Sequence, residues 1–92
     1  MTYTVYAMRD VKTGFLTPTI EVNDEAAKRN FIHSLWNSEG ILHSFAADFS
    51  LYKIGSFDSD AGSIASEPVP VHLLSGTDAL IAGSQQEEDN YG

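Results

Sequence analysis

Hydrophobic and polar residues alternate in two stretches of the chain, residues 2–8 and 49–57. Both stretches are rich in β-branched and aromatic residues, so each predicts a β-strand. Each is followed by a segment that begins with aspartate and ends with glycine, at 10–14 and at 58–62. An aspartate that accepts hydrogen bonds from nearby backbone, followed by a glycine with positive φ, favours a tight turn. The pattern therefore predicts two β-hairpins.

The return strands of the two hairpins differ. The first, at residues 15–22, contains Pro18, which has no N–H to donate to a sheet ladder. We therefore expect this strand at the edge of the sheet, or bulged at the proline. The second return strand covers residues 63–65, and the composition of the chain changes soon after it.

One amphipathic helix is predicted between the hairpins, over residues 24–38. Asn23 is placed as its N-cap, and two acidic residues follow in the first turn, where negative charge suits the helix dipole. Gly40 is placed to end the helix in a left-handed conformation. Apolar residues at three-to-four spacing predict its buried stripe. These are Ala27, Phe31, Ile32, Leu35 and Trp36.

Together these elements predict an α+β fold: a small antiparallel sheet of two β-hairpins, in ββαββ order, packed by one amphipathic helix. The core domain is expected at residues 1–66. Residues 67–82 contain two prolines and are predicted to be extended, with a short edge strand. Residues 83–92 are Gly, Ser, Gln, Glu, Asp, Asn and one Tyr, a composition that predicts a disordered, flexible acidic tail.

Composition adds limits to this picture. A domain of 92 residues has a thin core, which dimerisation would support, so we expect a homodimer. The chain has no cysteine, which excludes disulfides and thiolate metal sites. It shows neither a long apolar run nor the basic and apolar segments of a signal peptide, so no membrane association is expected.

The sequence contains no catalytic or metal-binding pattern. Asp58, Asp60 and Gly62 resemble the start of a calcium loop, but Val69 stands at the twelfth position, where that loop has glutamate. The histidines are His33, His43 and His72. They stand at no metal-ligand spacing, and the phosphate-binding glycine motifs are missing. We therefore predict a non-enzymatic protein with no catalytic residues, no metal and no cofactor.

Aromatic and basic residues are interleaved on the predicted strands and helix. Single-strand binders stack bases on such rings, while cations beside them contact the phosphates. The candidate nucleic-acid-binding residues are Tyr3, Tyr6, Arg9, Lys12, Lys28, Arg29, Tyr52 and Lys53. In the other interpretation, the rings are ordinary strand residues and the cations form a solvated surface. Because the net charge is −8, we expect any binding of DNA to be weak.

Several segments resemble the small non-structural protein of gokushoviruses. They are residues 6–19, residues 22–24 with 29–31, and residues 48–58. The Lys-Thr-Gly-Phe at 12–15 and the Asp-Phe-Ser-Leu-Tyr at 48–52 are required by no strand or turn rule. Gokushoviruses belong to the Microviridae, tailless bacteriophages with circular single-stranded DNA genomes.

The resemblance implies a protein that is made in the host cytoplasm and is absent from the virion. Such a protein is placed in the role of the coliphage C protein. That role is to help switch viral DNA synthesis from double-stranded replication to single-strand production coupled to packaging. The family is often labelled DNA-binding, and no site residues come with the resemblance.

Two functional hypotheses follow. In the first, the protein acts in viral single-stranded DNA synthesis and its coupling to genome packaging, through weak binding of single-stranded DNA. In the alternative, it is a dimeric protein–protein adaptor that engages the replication initiator or the procapsid without direct DNA binding. An open sheet edge and the acidic tail would then serve as contact surfaces.

Overall fold

One antiparallel sheet and two helices make an α+β fold. The computed structural model describes residues 1–37 and 44–91, and for residues 84–91 it describes the backbone alone. The strands are β1 (Thr2–Asp10), β2 (Gly14–Phe15), β3 (Thr19–Glu21), β4 (Phe49–Asp58) and β5 (Ser63–Ser75). The helices are α1 (Asp24–Asn37) and α2 (Gly76–Tyr91), and a short 3-10 turn covers Ala46–Asp48.

The strands lie in the order β2-β1-β4-β5, and β3 pairs with β1 on the same side as β2. Every pairing is antiparallel. The predicted α+β class is therefore confirmed, but the described elements follow the order βββαββα instead of ββαββ. The additional strand comes from the first hairpin, and the additional helix comes from the C-terminal residues.

The first return strand is divided in two at Pro18. β2 pairs Phe15 with Arg9, whereas β3 pairs Thr19 with Tyr6, and the register shifts between the two. Pro18 lies in this gap, where the ladder needs no N–H from it. The prediction of an edge strand interrupted at the proline is confirmed.

Both aspartate–glycine turns form as the sequence predicts. Gly14 has φ 101° and Gly62 has φ 69°, a region that glycine adopts without the steric cost of a side chain. The carboxylates of Asp10 and Asp58 each accept the backbone N–H two residues later, at 3.0 and 2.9 Å. The aspartate oxygens therefore hold the turns.

Helix α1 begins where the sequence predicts. The Oδ1 atom of Asn23 accepts the N–H of Ala26 at 2.8 Å and so caps the helix. The buried side chains on α1 are those of Ala27, Phe31 and Leu35. The predicted stripe is confirmed for these three residues, whereas Ile32 is partly buried and Trp36 is 36% exposed. The predicted cap at Gly40 lies outside the described residues.

The core lies between the sheet and the helices, and we call the sheet face that it covers the inner face. Phe31 and Leu35 of α1 share one buried cluster with Tyr6 of β1 and Leu51 of β4. Ala79 of α2 belongs to the same cluster. Full burial of a large apolar side chain contributes roughly 1.5–3 kcal/mol, so these few residues account for much of the stability.

The C-terminal quarter differs most from the prediction. β5 continues through residues 67–70, where a register shift marks a bulge at the two prolines. The domain boundary predicted at residue 66 therefore falls within a strand. α2 follows directly, and the flexible acidic tail predicted at 83–92 is not confirmed.

A cap and tertiary contacts stabilise the first half of α2. The Ser75 hydroxyl accepts the N–H of Asp78 at 3.1 Å and caps the helix. Ala79 is fully buried, and Gly83 lies so close to the indole of Trp36 that any side chain there would collide with it. The sequence predicted disorder from residue 83 onward, because a polar composition does not reveal a contact such as that between Gly83 and Trp36.

Candidate nucleic-acid interface

The sheet has a second face, opposite the helices, which we call the outer face. Successive residues of a strand alternate between faces, and residues directly paired across a ladder share one. Since Tyr6 and Met8 pack in the core, Val5, Ala7 and Arg9 point outward. The register assigns to the outer face Tyr3, Val5, Ala7 and Arg9 of β1, Phe15 of β2, Ile20 of β3, Ser50, Tyr52, Gly55 and Phe57 of β4, and Ile64, Ser66 and His72 of β5.

An aromatic row, formed by Phe15, Tyr52 and His72, crosses the outer face. The Tyr52 ring lies between the other two, with centroid distances of 5.4 Å to Phe15 and 5.3 Å to His72. Both contacts are edge-to-face, an arrangement that aromatic pairs favour. Ala7 is buried although it points outward. Its small side chain leaves room for rings from the neighbouring strands to meet above it.

The outer face differs in charge from the rest of the molecule. Among the described residues that the register assigns to it, the outer face carries Arg9 and no aspartate or glutamate, although the chain has a net charge of −8. Glu67 lies in the stretch of β5 that the register leaves unpaired, so it is assigned to neither face. The neighbouring acids lie elsewhere: Asp10 pairs with Phe49, which is in the core, and Glu21 accepts a hydrogen bond from Asn30 of α1 at 2.7 Å. A polyanion would therefore meet less repulsion here than the net charge suggests.

Three of the predicted residues, Tyr3, Arg9 and Tyr52, lie on the outer face. Tyr52 is the middle ring of the aromatic row, and Arg9 lies directly opposite Phe15 in the ladder. Tyr3 lies further along β1, opposite Phe57. The outer face thus combines ring surfaces with one positive charge.

Tyr6 is a correction to the predicted set. Its ring is fully buried in the core, so it cannot stack on a base. Its hydroxyl donates a hydrogen bond to Oδ1 of Asp24 at 2.6 Å, at the start of α1. Burial and, to a smaller extent, this hydrogen bond raise the pKa of Tyr6 to about 12. The cause is alternation along β1, which sends Tyr6 to the face that the helices cover.

The other predicted cations do not join Arg9. Lys53 is paired with Tyr6 and therefore belongs to the inner face. Lys28 and Arg29 lie on α1, and Lys12 is exposed in the turn between β1 and β2. The predicted residues are therefore spread over several surfaces instead of forming one groove.

Sequence reasoning missed two members of the aromatic row, Phe15 and His72. The hairpin register was the available signal for Phe15, since a turn at 10–14 places it opposite Arg9. No comparable signal existed for His72. Its pairing with Tyr52 follows register shifts in β5 that local sequence does not specify.

Two further findings concern the part of the chain that the structure describes. No helix there is long and apolar enough to cross a membrane. No group of three or more His, Cys, Asp or Glu residues there is placed to hold a metal ion. The residues that the register assigns to the outer face supply ring surface, hydroxyl groups and the guanidinium of Arg9.

Comparison with known proteins gives one positive result. No curated protein matches the chain, and no solved structure matches it. A family model described as phage ORF5 protein matches residues 3–79, which run from β1 into the first turn of α2. This match spans more than half of the chain and includes the whole aromatic row. The chain therefore belongs to the phage ORF5 protein family and is a bacteriophage protein.

Proposed function

We propose that this phage protein binds single-stranded DNA weakly through its outer face. It acts as a non-structural protein in the host cytoplasm, in viral single-stranded DNA synthesis and its coupling to genome packaging. The observation that supports this proposal is the aromatic row on a face whose register-assigned residues include no carboxylate. The role in synthesis and packaging follows from the resemblance to the gokushovirus protein.

The chemistry of the outer face suits unpaired bases. A base stacked on an aromatic side chain contributes about 1–3 kcal/mol, whatever its sequence. Bases within a duplex are already stacked on each other and do not offer their faces to a protein. Sheets that present two or three aromatic rings are a known way to bind single strands. The outer face is therefore expected to prefer single-stranded DNA to duplex.

Electrostatics limits the affinity. For single-stranded DNA, a plot of the logarithm of the binding constant against the logarithm of the salt concentration has a negative slope. Each contact between a cation and a phosphate makes this slope steeper by roughly 0.7. Arg9 is the cation on the outer face, so we expect a slope near −0.7 to −1.4, about one or two contacts. A strongly basic binder would show a much steeper slope. The protein is thus expected to bind chiefly by stacking.

Fluorescence anisotropy of a labelled 20-mer of thymidine, at low salt and micromolar protein, tests the proposal. Tyr52→Ala should weaken binding about tenfold or more, since one stacked base is worth about 1–3 kcal/mol. Arg9→Ala should weaken it less, and Lys53→Ala serves as the matched control, with the same charge change on the inner face. No binding by the natural chain, or equal loss with Arg9→Ala and Lys53→Ala, would count against the outer face.

The adaptor hypothesis is favoured by the apolar residues on the same face. Ile64 is 70% exposed and Ile20 is 49% exposed, and exposed apolar patches often mark protein contacts. A homodimer formed through this face would cover the aromatic row. If the same face also bound DNA, dimerisation and DNA binding would compete, and the thymidine 20-mer would convert dimer to monomer in sedimentation experiments. The adaptor hypothesis instead predicts a dimer that DNA leaves unchanged. A dimer unaffected by saturating DNA would exclude a shared surface.

A further inference from the structure

A groove on the helical side of the molecule has a chemistry different from that of the outer face. It has a volume of about 560 Å³ and lies between the first half of α1, the end of β5 and α2. Its apolar lining comes from Val22, Ile32, Leu74 and Ala82. Val22 is 64% exposed, whereas Ile32 and Leu74 pack partly on the core. We call this concavity the α1 groove.

The rim of the α1 groove is basic. Lys28 and Arg29 both line it, and they are two of the five cations in the chain. Among the described lining residues Glu25 is the acid, and its exposed carboxylate lies 3.7 Å from the Lys28 ammonium, which is one-third exposed. Such exposed pairs are weak and are easily exchanged for another partner. Arg29 is exposed and makes no ion pair within the described part of the chain.

We propose that the α1 groove binds an acidic, apolar peptide segment of a partner protein. Apolar side chains of the peptide would pack on Val22, Ile32 and Leu74. Its carboxylates would contact Lys28 and Arg29, and the guanidinium is suited to holding a carboxylate through two hydrogen bonds. The volume lies within the range of sites that bind small ligands or a few residues of a peptide.

Charge complementarity decides the class of partner. The described lining of the groove holds two cations and one acid, a charge of opposite sign to the net charge of −8. A basic partner would bind almost anywhere on such a chain, whereas an acidic one is steered to this rim. The described lining holds no aromatic ring, so the groove lacks the stacking surface that single-stranded nucleic acid requires.

The α1 groove and the outer face lie on opposite sides of the sheet, so one molecule has room for both ligands at once. The chain would then join single-stranded DNA on one side to a protein segment on the other. This inference does not depend on the proposed DNA binding, because the residues of the two surfaces do not overlap.

The test uses three labelled octapeptides and measures anisotropy with the full chain. The first alternates leucine with glutamate, the second alternates leucine with lysine, and the third alternates serine with glutamate. The leucine–glutamate peptide should bind at least about tenfold more tightly than either control, because each control lacks either the charged hydrogen bonds or the apolar contacts. Equal binding of either control, or no binding at millimolar protein, overturns the proposal.

A pair of charge reversals locates the site. Arg29→Glu should weaken binding of the leucine–glutamate peptide about tenfold or more, whereas Lys12→Glu, the same change in the β1–β2 turn, should have a much smaller effect. Equal losses would mean a general effect of net charge and would overturn the assignment. Circular dichroism melting curves confirm that both variants fold.

The α1 groove could instead bind a second copy of the chain or single-stranded DNA, and each alternative gives a distinct result. If the natural chain is a dimer and Arg29→Glu makes it monomeric, the groove binds a second copy and the peptide proposal fails. If Arg29→Glu weakens binding of the thymidine 20-mer as much as Arg9→Ala does, the groove belongs to the DNA site and the proposal also fails. The proposal is supported if Arg29→Glu loses peptide binding while its binding of the thymidine 20-mer equals that of the natural chain. This holds equally if neither chain binds the 20-mer.

Discussion

The inner and outer faces of the sheet use the same residue type in opposite ways. Tyr6 on the inner face is fully buried, and its hydroxyl is bound to Asp24. Tyr52 on the outer face is half-buried and forms the middle of a ring row that solvent reaches. A tyrosine in a strand therefore either packs in the core or presents its ring to solvent, according to the face it occupies. The register of the sheet decides that face.

The strongest test of this comparison is to truncate both tyrosines. Tyr6→Ala should lower the free energy of unfolding by about 3–5 kcal/mol, because it leaves a cavity in a thin core. Tyr52→Ala should lower it by only about 1–2 kcal/mol, since its ring is half exposed and loses two edge-to-face contacts. Urea denaturation of both variants measures the difference. Similar losses for the two would remove the distinction between the faces.

A second prediction tests how α2 packs against α1 over the inner face. Gly83→Ala should lower the free energy of unfolding by about 1–3 kcal/mol, because its methyl group collides with the indole of Trp36. In an unpacked helix the same change would be stabilising, since alanine is the better helix former. Ile81→Ala is the control, because Ile81 is exposed on the same helix. A stabilised Gly83→Ala variant would show that α2 is not docked against α1.

Local features of the fold were predictable from the sequence. The turns depend on Asp10 and Asp58 and on a glycine four residues later, all within one short segment. The start of α1 depends on Asn23, which contacts the backbone three residues away. Each of these interactions joins neighbours in the chain, so the residues alone specify it. The core stripe of α1 follows from helical periodicity in the same way.

Non-local features were not predictable. α2 depends on Trp36 and on burial of Ala79, which the polar composition of the last residues does not reveal. The grouping of the candidate site residues on one face was not predictable for a related reason. The sequence identified Tyr52 and Arg9 but grouped them with Tyr6. Side chains along a strand alternate between its two faces, but the sequence does not tell which of these faces the helices cover. His72 joined the site only through register shifts in β5.

A third prediction concerns the hydroxyl of Tyr6. Tyr6→Phe should lower the free energy of unfolding by about 1 kcal/mol at neutral pH, through loss of the hydrogen bond to Asp24. The pKa of Tyr6 is raised from 10.0 to about 12, so the folded chain keeps this proton longer than the unfolded chain does. Its contribution is complete below pH 10 and is lost as the pH rises to about 12.

The difference in stability between the natural chain and Tyr6→Phe should therefore shrink across that interval. Every other residue is the same in both chains, so its contribution cancels in the comparison. Chemical denaturation at pH 7, 10 and 11.5 measures the trend. A difference that stays constant with pH would show that the hydroxyl is not held in the core.

The smallest expected effect concerns the outer face. Ile64→Thr removes apolar surface from a side chain that is 70% exposed, and it keeps the β-branched shape that suits a strand. The free energy of unfolding should change by no more than about 0.5 kcal/mol, as is usual for exposed positions. A larger loss that grows with protein concentration would mean that a second copy covers Ile64 in solution. The outer face would then be an interface between copies, and its aromatic row would reach DNA only after the copies separate.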